Sequence, residues 1–373
     1  MSNKKILFFS PTLGSGGSER QMVTLAVLLK QKGYDVQFFC LSPSFNFHLA
    51  TLESQQIPVV FAKTKHYSSW KKPILTLLSK VKTSKEFRNH LISNEIDVVI
   101  SFLRPCNFFA AKIRKKENGF KLIAGVRSYK PSLFTDNKDY IQSQQYVDAI
   151  VCNSHLAEEL WQKNCPQYKD KLFTIYNIVS LGSISTEYVP KQDGKLHVMV
   201  AASYLYYKNL IGIVNAMKLM TVEERERIVI DWYGSFKTAD NSFQYCKDEI
   251  SKSGLEKSLL LHDATANIAD KQNMADVVAL VSQTEGLPNA ICEAMTIGKP
   301  ILMSRVSDYD ILVDDSNGLL VDSNNPASIK EALLKMSEWS TEDLIQKGVA
   351  SKKKAMRLFS AETIIPQWEQ LFT

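Results

Sequence analysis

The stretch VVALVSQTEGLPNAICEAMTIGKP, residues 277–300, predicts a strand, a loop and a short helix in succession. Its first seven residues have the length and apolar character of a buried strand that ends at Gln283. Pro288 suits the first turn of a helix, because its missing N–H would be unpaired there in any residue. Gly298 then ends the helix and Pro300 prevents it from resuming. The stretch therefore indicates a parallel sheet covered by helices.

Two carboxylates lie within this unit. Glu285 is in the loop at the carboxyl end of the strand, where open α/β sheets bind ligands, and Glu293 is in the first turns of the helix. The main-chain N–H groups of Gly286, Leu287 and Asn289 converge at the positive end of the helix dipole, where they favour an anion such as phosphate. One acid can accept hydrogen bonds from sugar hydroxyls while the other reaches a vicinal diol. In the alternative interpretation, Glu285 only stabilises the helix N-terminus and Glu293 pairs with a buried lysine.

Apolar runs alternate with helical patterns along the rest of the chain, as in 18–31 and 209–220. The βαβ pattern occurs twice, and 373 residues suit two doubly wound domains joined near 177–194. In that arrangement the ligand site is expected between two facing sheets. The predicted strands are 5–9, 35–41, 97–102, 120–126, 147–152, 196–202, 228–233, 277–282, 300–303 and 319–322.

Composition limits the class of protein. The chain is 45% hydrophobic and 23% charged, which is typical of a soluble globular protein. No apolar run approaches the roughly 20 residues of a membrane span, and the N-terminus does not resemble a signal peptide, so we place the protein in the cytosol. Six cysteines without a CxxC pair and six histidines without metal-ligand spacing favour neither a disulfide framework nor a zinc site.

Charge is distributed unevenly. Residues 1–190 carry 25 Lys and Arg against 14 Asp and Glu, whereas 191–373 carry 20 against 25. The excess peaks in 63–90, with eight basic residues, one acid and Trp70. This segment is either a solvated helix face or a contact with an anionic membrane surface. Nucleic acid is the weaker alternative, because no motif of that class accompanies the charge. The apolar residues of the membrane interpretation are Trp70, Ile74, Leu77, Leu78 and Val81.

A glycine loop, SPTLGSGGSERQ at residues 10–21, follows the first strand. Its glycines are expected to let the main chain turn before a helix near Ser18, with Ser18 or Gly17 as the N-cap, and to leave room for a ligand. The pattern is neither GxGxxG nor a P-loop, so it is a weak phosphate signature. A simple turn between strand and helix is the alternative.

The spacing of Glu285 and Glu293 within EGLPNAICEAMTIGKPIL resembles the E-x7-E signature of retaining glycosyltransferases of family 4. The resemblance covers nearly the whole chain, including the glycine loop and AASYLYYKN with Lys208. It also covers NSHLAEEL, LFTIYN, SNGLLVDSNNPASIKEAL and FSAETIIPQWEQLF.

The resemblance implies an α/β protein of the GT-B fold, with two facing Rossmann-like doubly wound domains. It assigns residues 1–180 to an acceptor-binding domain and 190–358 to a nucleotide-sugar-binding domain. Residues 359–373 are expected to form a C-terminal helix that crosses back to the first domain.

The same resemblance implies roles for single residues. Glu285 would hold hydroxyls of the donor sugar, Glu293 the nucleotide ribose, and Lys208 the diphosphate, which makes Glu285 and Lys208 the catalytic pair. Arg104 and Arg127 are assigned to the acceptor side. The implied donor-binding residues are Gly16, Gly17, Ser203, Lys208, His262, Asp263, Glu285, Gly286, Leu287, Pro288, Asn289, Ala290 and Glu293.

One departure from the family pattern affects the phosphate site. Where the family often has Gly-Arg before the lysine, this chain has Ala202 and Ser203. A serine hydroxyl is a weak substitute for an arginine that binds phosphate through two parallel hydrogen bonds. Either Arg104 or Arg127 reaches the diphosphate instead, or the affinity for the donor is low.

The implied activity is transfer, with retention, of a hexose-type sugar from a UDP- or GDP-linked donor to a saccharide acceptor. We expect a lipid-linked acceptor in bacterial surface polysaccharide synthesis, and an enzyme peripheral to the inner face of the cell membrane. No cofactor or metal is required, and the DxD-like Asp308 and Asp310 are predicted to be structural. The alternatives are a GT-B epimerase or phosphorylase and, less favoured, a non-catalytic sugar-binding protein.

Overall fold

The computed structural model describes residues 4–63, 73–117, 119–127, 131–179 and 193–373. The chain divides into two compact units. The first comprises Met1–Ile178 together with Ala361–Thr373, and the second comprises Val179–Ser360.

The first unit is built on a parallel sheet with seven strands in the described residues, in the order β3-β2-β1-β4-β5-β6-β7. β2 and β3 lie on one side of β1 and β4 to β7 lie on the other, so the strand order reverses between β1 and β4. Large apolar side chains of the central strands are fully buried on both faces, as helix-covered parallel sheets require. The strands are β1 (Lys5–Ser10), β2 (Asp35–Cys40), β3 (Val59–Phe61), β4 (Val98–Phe102), β5 (Lys121–Val126), β6 (Ala149–Cys152) and β7 (Leu172–Thr174).

Helices connect these strands and cover the sheet. The longest, α3, buries a row of side chains spaced four residues apart, at Ser79, Thr83, Phe87 and Leu91. Phe87 packs against Phe9 and Phe39 of the sheet. The helices of this unit before the second sheet are α1 (Gly17–Gln31), α2 (Leu49–Ser54), α3 (Pro73–Ser93), α4 (Arg104–Arg114), α5 (Ser132–Asp136), α6 (Lys138–Ser143) and α7 (His155–Asn164).

The second unit repeats the plan with a parallel sheet of six strands, counted over the described residues, in the order β10-β9-β8-β11-β12-β13. Here the order reverses between β8 and β11. The strands are β8 (Leu196–Ala201), β9 (Ile228–Tyr233), β10 (Leu259–His262), β11 (Val277–Leu280), β12 (Ile301–Ser304) and β13 (Gly318–Val321). The helices are α8 (Leu210–Lys218), α9 (Val222–Glu226), α10 (Asn241–Lys252), α11 (Ile268–Asn273), α12 (Asn289–Thr296), α13 (Tyr309–Leu312), α14 (Pro326–Ser337) and α15 (Thr341–Phe359).

A last helix, α16 (Ala361–Gln370), belongs to the first unit and packs on it. Trp368 is buried with its ring 6.0 Å from that of Phe102, and the Glu369 carboxylate accepts hydrogen bonds from Lys32 at 2.8 Å and Tyr34 at 3.1 Å. The prediction that the C-terminal helix returns to the first domain is therefore confirmed. No helix in the described part of the chain is long and apolar enough to cross a membrane.

Two glycines allow α15 to pack closely against the end of α12. A Cβ atom added at Gly348 would lie 2.2 Å from the carbonyl oxygen of Gly298. Gly298 has φ +79°, the left-handed conformation that favours glycine after a helix, so its predicted role as the stop of α12 is confirmed. The helix that carries Glu293 is thus fixed at its carboxyl end.

Candidate active site

Two loops of the second unit meet at the carboxyl ends of the neighbouring strands β8 and β11. The first forms a 3-10 turn over Tyr206–Lys208, and the second contains Glu285. The main-chain N–H of Gln283 donates to the Tyr207 carbonyl at 2.8 Å, which joins the loops. Because the strand order reverses between β8 and β11, this is the position at which open α/β sheets bind ligands.

Lys208 and Glu285, the predicted catalytic pair, contact each other at this position. The Lys208 Nζ atom lies 2.6 Å from Oε1 of Glu285, and the two side chains are only 17% and 11% exposed. The ammonium group also lies 5.4 Å from the centre of the Tyr207 ring. Charge-assisted hydrogen bonds of this kind are stronger in partly desolvated surroundings than on an open surface.

Asn209, which sequence reasoning missed, holds the Lys208 loop in place. It has the left-handed conformation φ +68°, ψ +39°, immediately before α8. Its buried side-chain amide donates to the carbonyls of Val281 at 3.0 Å and Ser323 at 2.8 Å. The loop of Lys208 is therefore fixed to the end of β11. Asparagine tolerates the left-handed backbone conformation, which was the available signal in the sequence for Asn209. That tolerance does not identify the hydrogen-bond partners of its side chain.

The N-terminus of α12 follows directly after the Glu285 loop. Pro288 is the N-cap and the helix begins at Asn289, so the prediction that Pro288 lies inside the first turn is wrong by one residue. The strand also ends at Leu280, two or three residues before the predicted ends at 282 and Gln283. A proline N-cap has no side-chain acceptor, and none caps α12. The helix therefore presents its positive end without a capping side chain.

Glu293 lies one turn into α12 and is half-buried. Its charge adds to burial in raising the pKa of the neighbouring Cys292 thiol. Lys299, just beyond the helix, is 1% exposed and donates to the main-chain carbonyls of Asn273 at 2.6 Å and Ala275 at 2.9 Å. Burial lowers the pKa of this lysine to about 8.

His262 and Asp263, two of the implied donor-binding residues, lie at the end of β10. His262 Nε2 is 2.7 Å from the Asp231 carboxylate, and the imidazole stacks on Tyr233 at 4.4 Å. Asp263 accepts main-chain N–H bonds from Phe236 at 3.0 Å and its own neighbour Ala264 at 2.8 Å, which lower its pKa. Although β10 is two strands from β8 in the sheet, the loop after β8 reaches it, because the Tyr204 hydroxyl lies 2.9 Å from the His262 carbonyl oxygen and accepts from the His262 main-chain N–H at 3.1 Å.

Ser203 lies in the loop after β8 and is half-buried. The loop approaches the end of β9 closely, because a Cβ atom at Gly234 would lie 2.3 Å from the Ala202 carbonyl oxygen. Only glycine fits at that position without displacing the loop. Gly234 is a second residue that sequence reasoning missed.

Asp308 and Asp310 have different environments. Asp308 is buried at the N-cap of α13, whereas Asp310 is exposed in its first turn. Among the residues that the structure describes, no group of three or more His, Cys, Asp or Glu side chains is placed to hold a metal ion.

In the first unit, the glycine loop ends in α1. The helix begins at Gly17 with Gly16 as its N-cap, one residue before Gly17 and two before Ser18, the two predicted N-caps. Gly14, Gly16 and Gly17 all avoid the left-handed region, so no left-handed backbone conformation requires glycine at these positions. Close approach of a ligand to Gly16 and Gly17 stays a prediction.

Arg104 and Arg127 line one cavity of about 440 Å³ at the carboxyl ends of β4 and β5. The Arg104 guanidinium donates to the side chain of Asn137 at 2.6 Å. Leu103, which also lines the cavity, has φ +70° at the N-cap of α4, a conformation uncommon for a non-glycine residue. Such strain is typical of functional positions, and no sequence pattern indicated it. Residues 128–130, which follow Arg127, lie outside the described residues.

Arg127 is held in place by its neighbours within the first unit. Its guanidinium lies 3.6 Å from the centre of the Phe102 ring and donates to Asn177 Oδ1 at 2.9 Å. Its Nε is buried and has no hydrogen-bond partner among the described residues. Burial lowers the pKa of the guanidinium to about 9. Gly125 makes room for the ring, since an added Cβ would lie 2.4 Å from Phe102.

Two family models together match most of the chain. Glycosyltransferase Family 4 matches residues 15–182, and Glycosyl transferases group 1 matches residues 185–348. The chain belongs to glycosyltransferase family 4. It is therefore a glycosyltransferase, and the resemblance seen in the sequence is confirmed.

Relatives and solved structures agree with this assignment. An uncharacterized glycosyltransferase of Haemophilus influenzae is 23% identical over 98% of this chain and 99% of its own length. A 4-alpha-N-acetylgalactosaminyltransferase of Campylobacter jejuni, named for a diphospho-undecaprenol saccharide, is 22% identical over 94% of both chains. Anabaena HepE in complex with UDP and glucose superposes with a TM-score of 0.79 at 16% identity, over 98% of both chains. The similarity to solved structures such as HepE shows that the family 4 chain has the GT-B fold.

Proposed function

We propose that this family 4 enzyme transfers a hexose-type sugar, with retention, from a UDP- or GDP-linked donor to a saccharide acceptor. The acceptor we propose is lipid-linked, within the synthesis of a bacterial surface polysaccharide. The observation that carries the proposal is the contact between Lys208 and Glu285 beside the uncapped N-terminus of α12.

Departure of the nucleoside diphosphate is the step that this arrangement would assist. Cleavage of the bond to the anomeric carbon leaves negative charge on the diphosphate, and fixed positive groups in a partly desolvated site stabilise that charge. The Lys208 ammonium has three N–H donors, of which Glu285 accepts one, so the others can reach phosphate oxygens. The first N–H groups of α12 would supply further donors.

The carboxylates have different proposed tasks. Glu285, fixed by Lys208, would accept hydrogen bonds from donor-sugar hydroxyls, and Glu293 would accept from the ribose. With retention, the acceptor hydroxyl attacks from the face that the diphosphate leaves, and its proton passes to the departing phosphate. No separate protein base is then required.

The acceptor proposal draws on relatives and on charge. The Campylobacter relative is named for a diphospho-undecaprenol saccharide, and Anabaena HepE was crystallised with UDP-glucose. The cavity with Arg104 and Arg127 would receive the acceptor saccharide. The excess of basic residues before 190 would favour an anionic membrane surface.

Substitution of each acid tests the proposal. Glu285→Gln and Glu293→Gln should each lower kcat/KM for transfer by about tenfold to a hundredfold, the effect of one lost hydrogen bond to a charged group. Glu331→Gln changes an exposed carboxylate on α14 and should keep normal activity. Full activity in either folded site variant would overturn the role of that acid.

Donor screening and product analysis separate the remaining possibilities. Thermal shift with UDP- and GDP-sugars identifies the nucleobase of the donor. Excess EDTA should leave the rate of transfer nearly unchanged. A rate that EDTA abolishes and manganese restores would instead implicate Asp308 and Asp310. An epimerase or phosphorylase would yield its product without an added saccharide acceptor, whereas the proposed transferase would not.

A further inference from the structure

A second cavity of the first unit, of about 490 Å³, is lined by four basic side chains and two aromatic rings. Arg88 comes from α3, whereas Lys112, Lys115 and Lys116 come from the end of α4 and the residues just after it. The rings are those of Phe108 and Tyr146. We refer to this space as the basic cavity.

The positive charge of the basic cavity is largely uncompensated. Lys112, Lys115 and Lys116 make no ion pair with any residue that the structure describes. Arg88 pairs with Glu117, yet its Nε is buried without a hydrogen-bond partner in the described part of the chain. Asp139 is the one acid among the lining residues, so the lining has an excess of positive charge.

Aromatic contacts hold two of these lysines against the wall. Lys112 Nζ lies 4.1 Å from the centre of the Phe108 ring, and Lys115 Nζ lies 5.5 Å from that of Tyr146. Cation–π contacts restrict a side chain without neutralising its charge. Lys112 and Lys115 are exposed, and these contacts reduce the conformational freedom that each side chain would lose on binding an anion.

The basic cavity continues toward the proposed acceptor site. An intermediate cavity of about 500 Å³ shares Phe108 and Asp139 with the basic cavity. It also shares Arg104 and Tyr140 with the cavity at the strand ends that contains Arg127. The route follows α4, along which Arg104 and Lys112 are separated by eight residues, or about 12 Å of helix axis.

We propose that the basic cavity binds the phosphate or diphosphate group of the acceptor, while the acceptor's sugar end occupies the cavity of Arg104 and Arg127. This proposal rests on the proposed transferase function and adds an acceptor class. The acceptor would be a saccharide that carries an anionic phosphate ester several sugar units away from the sugar that is extended. Several lysine and arginine side chains that donate hydrogen bonds suit the several phosphate oxygens of such a group. The ester can belong to a lipid headgroup or to a soluble sugar phosphate.

Acceptor kinetics provide the first test. One saccharide is offered as its soluble alkyl diphosphate ester and as its neutral alkyl glycoside. In Lys112→Gln/Lys115→Gln, KM for the diphosphate acceptor should rise roughly tenfold or more, while kcat and the KM for the neutral acceptor stay near wild type. The control Lys163→Gln/Lys169→Gln removes two exposed lysines that line none of these cavities and should alter neither KM. Equal KM changes for both acceptors, or none, would overturn the proposal.

Direct binding gives an answer that does not depend on transfer. Calorimetry with a soluble alkyl diphosphate should show binding to the wild type that weakens about tenfold in the cavity variant and not in the control. Binding by both variants alike would refute the cavity proposal even if transfer succeeds. Binding at the cavity without transfer to any saccharide would refute the proposed function and leave the anion site standing.

Co-sedimentation with phosphatidylcholine vesicles, with or without a lipid diphosphate, distinguishes a membrane source of the phosphate ester from a soluble one.

Discussion

The Nζ atom of Lys208 and the Oε1 atom of Glu285 lie 2.6 Å apart, although the two residues follow different strands of the second sheet. Both side chains are mostly buried, so removal of one leaves the charge of the other without its partner. We expect Glu285→Gln and Lys208→Met each to lower the free energy of unfolding by about 1 to 3 kcal/mol. The double variant should be more stable than the sum of the two losses predicts, which denaturant titration can measure.

Activity separates the structural from the catalytic part of this pair. If both groups act on the donor, the double variant recovers stability but stays at least about a hundredfold below wild type in transfer. A double variant with restored activity would show that the pair serves the fold alone. Additive stability losses would show that the contact contributes nothing measurable.

Gly348 provides a test of the support behind α12. Gly348→Ala places a methyl group 2.2 Å from the carbonyl oxygen of Gly298, which must force α15 away from the end of α12. We expect a loss of about 1 to 3 kcal/mol in the free energy of unfolding, as for other overpacked sites. Gly119→Ala is the matched control, because among the described residues other than its chain neighbours no heavy atom lies within 4 Å of its added Cβ. Similar stability of the two variants would contradict the close packing.

The buried Lys299 predicts a pH dependence of stability. Burial lowers its pKa from 10.5 to about 8, so between these values the unfolded chain binds a proton that the folded chain has released. The free energy of unfolding from this group therefore rises with pH across that window, by up to about 3 kcal/mol. Lys299→Met should remove this rise, measured as the difference from wild type in denaturant titrations at pH 7.5 to 10, a window of about 2.5 units. The exposed control Lys353→Met should retain it, and an unchanged slope in Lys299→Met would refute the assignment.

The central strands of both sheets could be predicted from the sequence, whereas three strands at sheet edges could not. The ten predicted strands are present, but β3, β7 and β10 were missed, and each lies at an edge. A central strand is buried on both faces and forms a continuous apolar run, as VVAL in β11 does. An edge strand is partly exposed, as β10 is over most of its length, and the missed strands are short, with three or four residues each.

The candidate site could be predicted in its position but not in its contacts. Loops after strands identify the ligand-binding edge, which placed Lys208 and Glu285 in the same region. Their direct contact depends on Asn209, whose amide joins loops separated by more than seventy residues in sequence. The stacking of Arg127 on Phe102 depends likewise on the absence of a side chain at Gly125. Contacts between residues that are far apart in the sequence leave no pattern among neighbouring residues from which they could be predicted.

The surface of α3 bears on the predicted membrane contact. Lys80, Lys82 and Lys85 are exposed on this helix, and Val81 between them is 59% exposed. Trp70, Lys71 and Lys72 lie outside the described residues, as do the side chains of Ile74, Leu77 and Leu78. The described part of α3 thus exposes three lysines beside one apolar side chain, and vesicle binding must decide between the two interpretations of 63–90.

Vesicle binding distinguishes the two interpretations. Each lysine near an anionic bilayer contributes about 1 kcal/mol, and salt screens this attraction over a Debye length of about 8 Å. We expect the protein to sediment with vesicles of phosphatidylcholine and phosphatidylglycerol but not of phosphatidylcholine alone, and high salt should release it. Glutamine at Lys71, Lys72, Lys80 and Lys82 should weaken sedimentation without altering the affinity for the donor nucleotide sugar. The control is glutamine at four lysines elsewhere, all exposed: Lys163, Lys169, Lys257 and Lys353. Equal sedimentation of the two quadruple variants would mean that net charge alone drives binding, and equal recovery on both vesicle types would make 63–90 a solvated helix face.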